Sequence, residues 1–522
     1  MKLATSSMIK LIDEFSKTEL GIPIKELMDK SGEAVAKVIR ARAPRNKYMV
    51  ILAGKGNNGG DGYAAAIKLM DEYDITVYDI FSAGQKGDAG KEFLAEYKAR
   101  GGKVVNFSAT EEILSHIKNA GCIVDAIFGT GFHGEMPEEL RPLAITVREA
   151  VEAQKIAIDV PLGIDADNGS VSDFAISVGA TVELSFIKPG IISYPARSYV
   201  GEVIYDDLGL PRRRITQAFS FRYHMVDSEW VSNELPNREQ NSNKGTFGKL
   251  LVITGSRKYR GAAHLTIEAA LRGGVGLVTF AGVSDVVREL SQKYPEAIYK
   301  EINDISEFNS DNINEIVELS KKHSATLIGS GSDNTEGLLS LVLALLSSEG
   351  GDIILDADAI NALSSIGEDG VNAIKNAKRR VIITPHPLEF ARLSGSDVAT
   401  VQLHRLEAAE KFADDNLCTV VLKGAGTVIT DGNEVFINVA GSSSLAKAGS
   451  GDVLAGFISA FIAQNKTLQT KAAALAVYYH ALAGESLAEE FSSYGVTPSD
   501  LPLEIARHIA KSESNIKKTT EK

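Results

Sequence analysis

Short apolar runs alternate along this chain with stretches whose apolar positions recur at helical spacing. The runs Tyr48–Ala53, Ile75–Phe81, Val104–Phe107, Cys122–Phe128, Ile156–Val160 and Ala180–Phe186 are too short for helices and predict strands. Leu11–Arg42 predicts helices: Leu27, Met28, Ala34, Val35 and Val38 share one spacing, and Pro44 closes the run. Strands separated by helical stretches predict a parallel sheet with helices on both faces. The alternation returns at Gly248–Ile253, Ala325–Ile328, Asp352–Leu355, Val381–Ile383 and Thr419–Lys423, with an apolar helix from Val453 to Ala463. Between Leu210 and Ser242 the strands stop. Pro211, Pro236 and the polar run Glu239–Asn243 place a boundary near Tyr223, giving two α/β domains, 1–222 and 223–510. In this join Arg212–Arg214 read as a solvated charge run and Trp230 as a packing residue. Residues 511–522 read as a charged, disordered tail.

Length agrees with this division, because 522 residues exceed what one core organises. The net charge of −13 argues against nonspecific binding to nucleic acid or an anionic membrane. Cys122 and Cys418 lie far apart and form no Cys-x-x-Cys pair, as expected in a reducing compartment. No secretory signal is expected at the N-terminus, and no apolar stretch is long enough for a membrane span. These features predict a cytoplasmic protein.

In the first half, glycines and polar residues cluster where predicted strands end, the place where an open α/β sheet binds ligands. Tyr48–Ala53 runs into Gly54-Lys55-Gly56-Asn57-Asn58-Gly59-Gly60-Asp61-Gly62, read as a loop before a helix Tyr63–Met70. Such a loop lets a ligand approach the backbone, and the helix start favours phosphate. Its spacing is neither a P-loop nor the dinucleotide fingerprint. Asp125 leads into Gly129-Thr130-Gly131-Phe132-His133-Gly134-Glu135, and Asp159 into Pro161-Leu162-Gly163-Ile164-Asp165. Singly, each aspartate reads as a loop cap. Together, three such strand ends point to one site.

These three motifs, in this order, resemble the NAD(P)H-hydrate epimerase domain. The resemblance implies a Rossmann-like three-layer sandwich. It implies that Asn57, Asn58, Gly59, Gly60 and Asp61 hold substrate, with Gly129, Thr130, Gly131, Phe132, His133, Gly134 and Glu135. Asp159 would also touch the substrate and act as the acid/base for inversion at the hydrated carbon. A potassium ion would sit on Asn58, Asp125 and Leu162. Leu162 stands where the family usually has Ser, so a backbone carbonyl could serve the ion but a side chain could not.

In the second half, Gly329-Ser330-Gly331, Asp356-Ala357-Asp358, Thr384-Pro385-His386-Pro387-Leu388-Glu389 and Lys423-Gly424-Ala425-Gly426-Thr427 all follow predicted strands. Lys423 before a glycine turn suits a nucleotide phosphate. Asp356 and Asp358 either cap a helix or contact magnesium through water. His386, between two prolines, sits in a rigid turn. Gly449-Ser450-Gly451-Asp452 opens the apolar helix. Its backbone amides suit an anion, and Asp452 is either a helix cap or a general base acting on a hydroxyl.

This order of motifs resembles the ADP-dependent NAD(P)H-hydrate dehydratase, a member of the ribokinase-like superfamily. By that resemblance Lys423, Gly424, Ala425, Gly426, Thr427 and Gly451 hold the adenine nucleotide. Ala262, Gly331, His386 and Asp452 hold the hydrated substrate, and Asp452 is catalytic. Departures from the usual pattern include Asn243 in place of His and Ser442 in place of Asn. Together the two halves imply a bifunctional repair enzyme for NADHX and NADPHX. It would use K+ in the first domain and Mg2+ with ADP in the second, and assemble into homo-oligomers. The alternative is a ribokinase-like small-molecule kinase fused to a non-catalytic Rossmann-like binding domain.

Overall fold

The computed structural model describes residues 1–44, 47–81, 87–464 and 468–520, without the side chains of 516–520. The chain divides into two compact units, Lys2–Tyr223 and His224–Lys522.

After a two-residue strand β1 (Lys2–Leu3), the first unit builds a seven-stranded sheet. Its strands are β2 (Met49–Ala53), β3 (Ile75–Asp79), β4 (Lys103–Asn106), β5 (Cys122–Ala126), β6 (Gln154–Ile158), β7 (Ala180–Leu184) and β8 (Glu202–Asp206). They run in the order β4-β3-β2-β5-β6-β7-β8, and every neighbouring pair is parallel. Successive β2 side chains serve opposite faces. Met49, Ile51 and Ala53 join one buried cluster, Val50 and Leu52 another. The sheet is therefore the middle of three layers. The strand order reverses between β2 and β5, which opens a crevice at their carboxyl ends.

Most strands end sooner than the apolar runs predict. β5, β6 and β7 stop two residues before Phe128, Val160 and Phe186. Asp159 and Ser185, the first residues after β6 and β7, both have φ of 68° and turn the chain off the ladder. The following Val160 and Phe186 stay fully buried, so the apolar run outlasts the strand. The expected loop 57–62 is instead the first part of the helix Asn57–Leu69. A Cβ on Gly59 would meet the Gly54 carbonyl oxygen at 2.1 Å, and one on Gly62 would meet Ala126 at 2.9 Å. These glycines let the helix lie against the strand ends, and that packing overrides their poor helix propensity.

The second unit carries β9 (Tyr223–Val226), β10 (Lys249–Ile253), β11 (Leu277–Gly282), β12 (Ile298–Glu301), β13 (Ala325–Ile328) and β14 (Asp352–Leu355). β15 (Val381–Ile383), β16 (Thr419–Leu422), β17 (Val428–Thr430) and β18 (Val435–Asn438) follow. Their order is β9-β18-β17-β16-β15-β14-β13-β10-β11-β12. From β16 across to β12 all pairs are parallel, so five adjacent strand ends, those of β10 and β13–β16, face one edge. The helix Ser450–Gln464 packs on Arg260–Arg272, where a Cβ on Gly456 would come within 2.6 Å of the Thr266 carbonyl oxygen.

The join is not a gap in structure. It holds the helix Arg212–Ala218, β9 and the helix Ser228–Glu234. Arg212 is not simply solvated, because its guanidinium lies 4.6 Å from the Phe186 ring centre. Trp230 is buried against Phe436. The tail expected to be disordered from Lys511 continues the helix Leu501–Thr520, and Glu521 and Lys522 lie outside the described residues. Cys122 and Cys418 are free and buried. Among the described residues no helix is long and apolar enough to cross a membrane.

A Cβ on Gly54 would sit 1.8 Å from the Ile127 carbonyl oxygen. Gly54→Ala is expected to destabilise the first unit by about 1–3 kcal/mol. A thermal midpoint equal to that of the parent protein would contradict this packing.

Candidate active sites

The crevice of the first unit is a cavity of about 430 Å³. Asn57, Asn58, Asp61, Gly129, Thr130, Gly131 and Asp159 line it. Asn58 is fixed from two strand ends: its amide donates to the carbonyls of Phe128 at 2.7 Å and Ile158 at 3.0 Å. Its carboxamide oxygen is buried without a hydrogen-bond partner. Gly129 leaves room for Asp159, since a Cβ there would lie 2.7 Å from that carboxylate. Asp125 stands behind this wall, 1% exposed. Its carboxylate accepts from the amides of Ile127 at 3.1 Å and Leu162 at 2.6 Å. Burial pushes its pKa up to about 7, against the pull of these two hydrogen bonds.

Other predicted residues lie elsewhere. Gly59 and Gly60 are buried in helix packing. Phe132 is buried against Phe128. His133 pairs with Asp165 at 2.7 Å, while Gly134 and Glu135 are exposed. The Leu162 side chain is fully buried in the apolar core, and its carbonyl accepts from Ile176.

Sequence reasoning missed the charges around Asp159. Lys188, 1% exposed, donates to Asp159 and lies 3.2 Å from Glu183, itself fully buried. Burial alone would lower the Lys188 pKa, but Asp159 and Glu183 hold it above the usual range. Burial and the charge of Asp159 push Glu183 up to about 8, despite Lys188. Asp61 is raised well above the usual carboxylate range by burial, Asp159 and Asp13, with the Ser31 hydroxyl and Lys188 opposing. A signal for the pair was present: Glu183 interrupts an apolar run, and Lys188 follows five positions later.

In the second unit the strand ends converge on Asp356, which is 1% exposed. Its carboxylate accepts from Ser330 at 2.8 Å, Thr384 at 2.7 Å and Lys423 at 2.9 Å, so it caps no helix. Asp358 accepts from the amide of Asp333 at 3.0 Å. The Lys423 ammonium lies 3.6 Å from where a Gly451 Cβ would stand, over the start of the helix Ser450–Gln464. Asp452 is in the first turn of that helix. Burial, Asp356 and Asp358 lift its pKa to about 7, while Lys423 opposes them.

The Thr427 hydroxyl closes the 423–427 turn by donating to the Gly424 carbonyl at 2.9 Å. Buried Arg405, which sequence reasoning also missed, donates to the carbonyls of Leu422 and Lys423 and braces this turn from behind. Ala425 is exposed and Gly426 partly so. Gly331 abuts Ala262, leaving no space for a Cβ between them. His386 caps the helix Pro387–Ser394 through Nδ1, and its Nε2 lies 3.2 Å from Glu389. Beneath the anion loop His480 contacts the Ser450 carbonyl at 3.1 Å, and burial lowers its pKa to about 4.

With both sites described, comparison places the chain. Residues 24–190 match the family described as YjeF-related protein N-terminus, and residues 250–507 the family described as NAD(P)H-hydrate dehydratase. The bifunctional NAD(P)H-hydrate repair enzyme Nnr of Moorella thermoacetica is 32% identical over 518 residues, 96% of this chain and 95% of the relative. The chain belongs to the bifunctional NAD(P)H-hydrate repair enzyme family. The family's Escherichia coli K12 member is 32% identical over 485 residues, 92% of this chain and 89% of that protein. A crystal structure of the Bacillus subtilis ADP/ATP-dependent NAD(P)H-hydrate dehydratase, co-crystallised with ATP and Mg2+, is 29% identical. It covers 55% of this chain and 97% of its own, with a TM-score of 0.48.

Asp125, Glu183 and Asp452 all have folded-state values above the ordinary carboxylate range. Their stabilising effect is complete below the unfolded values and is lost as pH rises through about 7 to 8. The unfolding free energy of the ligand-free protein should therefore fall as pH rises from about 5 to about 8, by about 1 kcal/mol per pH unit for each carboxyl still protonated only in the folded state, and level off above that; the thermal midpoint should follow it down. A midpoint that rises across this window would refute the assignment.

Proposed function

We propose that this chain repairs hydrated nicotinamide cofactors in two steps, one in each unit. The first unit interconverts the R and S epimers of NADHX and NADPHX. The second dehydrates the S epimer to NAD(P)H, converting ADP to AMP and phosphate. The observation that carries this reading is one chain holding two aspartates at two separate strand-end sites, Asp159 beside Lys188 and Asp452 beside Lys423.

In the second unit the substrate hydroxyl is a poor leaving group. Asp452 takes its proton, and the oxygen attacks the terminal phosphorus of ADP as the bond to AMP breaks. The ester's carbon–oxygen bond then breaks, phosphate leaves with the electron pair, and a neighbouring ring proton passes to the departing phosphate, which restores the double bond. Lys423 and the backbone amides at Gly449–Gly451 favour the phosphoryl oxygens. The 423–427 turn and Gly451 hold the nucleotide, while Ala262, Gly331 and His386 border the substrate. Among the described residues no group of three His, Cys, Asp or Glu forms a metal cage. The residues fit a Mg2+ carried mainly by the nucleotide, where it would neutralise phosphate charge.

In the first unit Asp159 exchanges a proton with the substrate hydroxyl. The fit to K+ rests on the unpartnered, buried oxygen of Asn58. With Asp125 and the Leu162 carbonyl it makes an oxygen-only donor set suited to a hard cation, which would supply a fixed positive charge at this wall.

Incubating mixed epimers with ADP, Mg2+ and K+ should restore the reduced-nicotinamide absorbance in full, faster than spontaneous epimerisation allows. Asp159→Asn should stall recovery at the S share. Asp452→Asn should lower dehydration by about 10²–10⁴-fold while epimerisation continues. No recovery from the parent protein, with a stable phosphorylated product instead, would overturn the reading in favour of a kinase. Because Asp452 must be ionised to act, dehydratase kcat/KM should rise as pH passes about 7. A rate falling over that range would exclude Asp452 as the base.

A further inference from the structure

We infer that Asp13 is a second acid–base group of the first unit, acting with Asp159 on the same hydrated carbon. The inference rests on the epimerase reading above. Asp13 lies on the helix Ser6–Thr18, before the stretch that matches the family model. It lines the same cavity as Asp61, Asn58 and Asp159. Asp159 is engaged by the Lys188 ammonium. The Asp13 carboxyl is half-buried and, among the described residues, makes no hydrogen bond or ion pair. A carboxyl left without a protein partner in a cavity wall is available to a ligand.

The chemistry requires two such groups. The hydroxyl-bearing carbon of the hydrate is bonded to the ring nitrogen. Inversion proceeds by opening and reclosing that bond. Asp159 takes the hydroxyl proton, the O–H pair becomes the carbonyl bond, and the carbon–nitrogen pair moves to nitrogen. Asp13 supplies the proton that nitrogen takes. The carbonyl then turns over. Asp13 recovers the proton from nitrogen, nitrogen adds to the other face, and Asp159 returns the proton to oxygen. No proton or electron is gained or lost, and both carboxyls end as they began. The scheme needs one protonated and one ionised carboxyl, held in different surroundings.

The groups facing Asp13 are consistent with its role as the acid. Lys188 acts across the cavity, Asp159 and Asp61 lie on the opposing elements, and Lys10 and Lys55 border the same cavity. Burial, together with Asp159 and against the pull of Lys188, raises Asp13 to about 6.

The test uses the full chain and the purified R epimer, with dehydration of the S epimer as an internal control. Asp13→Asn should lower epimerase kcat by about 10²-fold or more, leave KM within about threefold, and leave dehydration unchanged. Asp13→Glu should recover part of the rate. In the parent protein, epimerase kcat/KM should fall above about pH 6, and Asp13→Asn should lose that limb. An epimerase kcat within about threefold of the parent in Asp13→Asn, with the same pH profile, would overturn the assignment. Should Asp13→Asn fail to fold, a parent profile with no fall above about pH 6 overturns it equally. If the parent protein itself leaves the R epimer unconverted, the epimerase reading fails and this assignment falls with it.

Discussion

In each unit a lysine ammonium sits among carboxylates at the ends of parallel strands, fully buried in the first and half-buried in the second. Lys188 stands between Asp159 and Glu183, and Lys423 is bonded to Asp356 with Asp452 nearby. Removing either lysine would leave buried negative charge uncompensated, a loss of about 3–5 kcal/mol for a broken buried pair. One cation cannot neutralise every carboxyl around it. Some of those carboxyls must therefore hold protons near neutral pH, which readies them for proton transfer. The charge arrangement that strains each site is also what equips it for chemistry.

The parallel sheet makes this possible. Its parallel strands point one way, so residues far apart in sequence meet at one edge. In the first unit, Asn58 reaches the carbonyls that end β5 and β6. In the second, Ser330, Thr384 and Lys423 come from the ends of three different strands to one carboxylate.

That rule made much of the two sites legible beforehand. Glycines and polar residues at the ends of apolar runs marked Asn58, Asp125, Asp159 and Lys423 from sequence, and the glycines that open an apolar helix marked Asp452. Asp13 was not legible, because one acid on an amphipathic helix has no local mark and faces the cavity only through tertiary packing. Lys188 and Arg405 were hidden for another reason: charged residues are expected outside, and both are buried. The helix that begins at Asn57 was misread because its asparagines and glycines are poor helix formers. Its stability comes from close contact with the strand ends, which no single window of sequence contains. Strand ends were placed too late because burial continues past the last ladder bond.

Leu162 illustrates how a site can be kept while its letters change. Its side chain points into the apolar core, and its backbone amide holds Asp125. Nineteen of the twenty residue types carry that amide. Position 162 is thus free to drift in evolution as far as core volume allows, with proline the one replacement that removes the contact to Asp125.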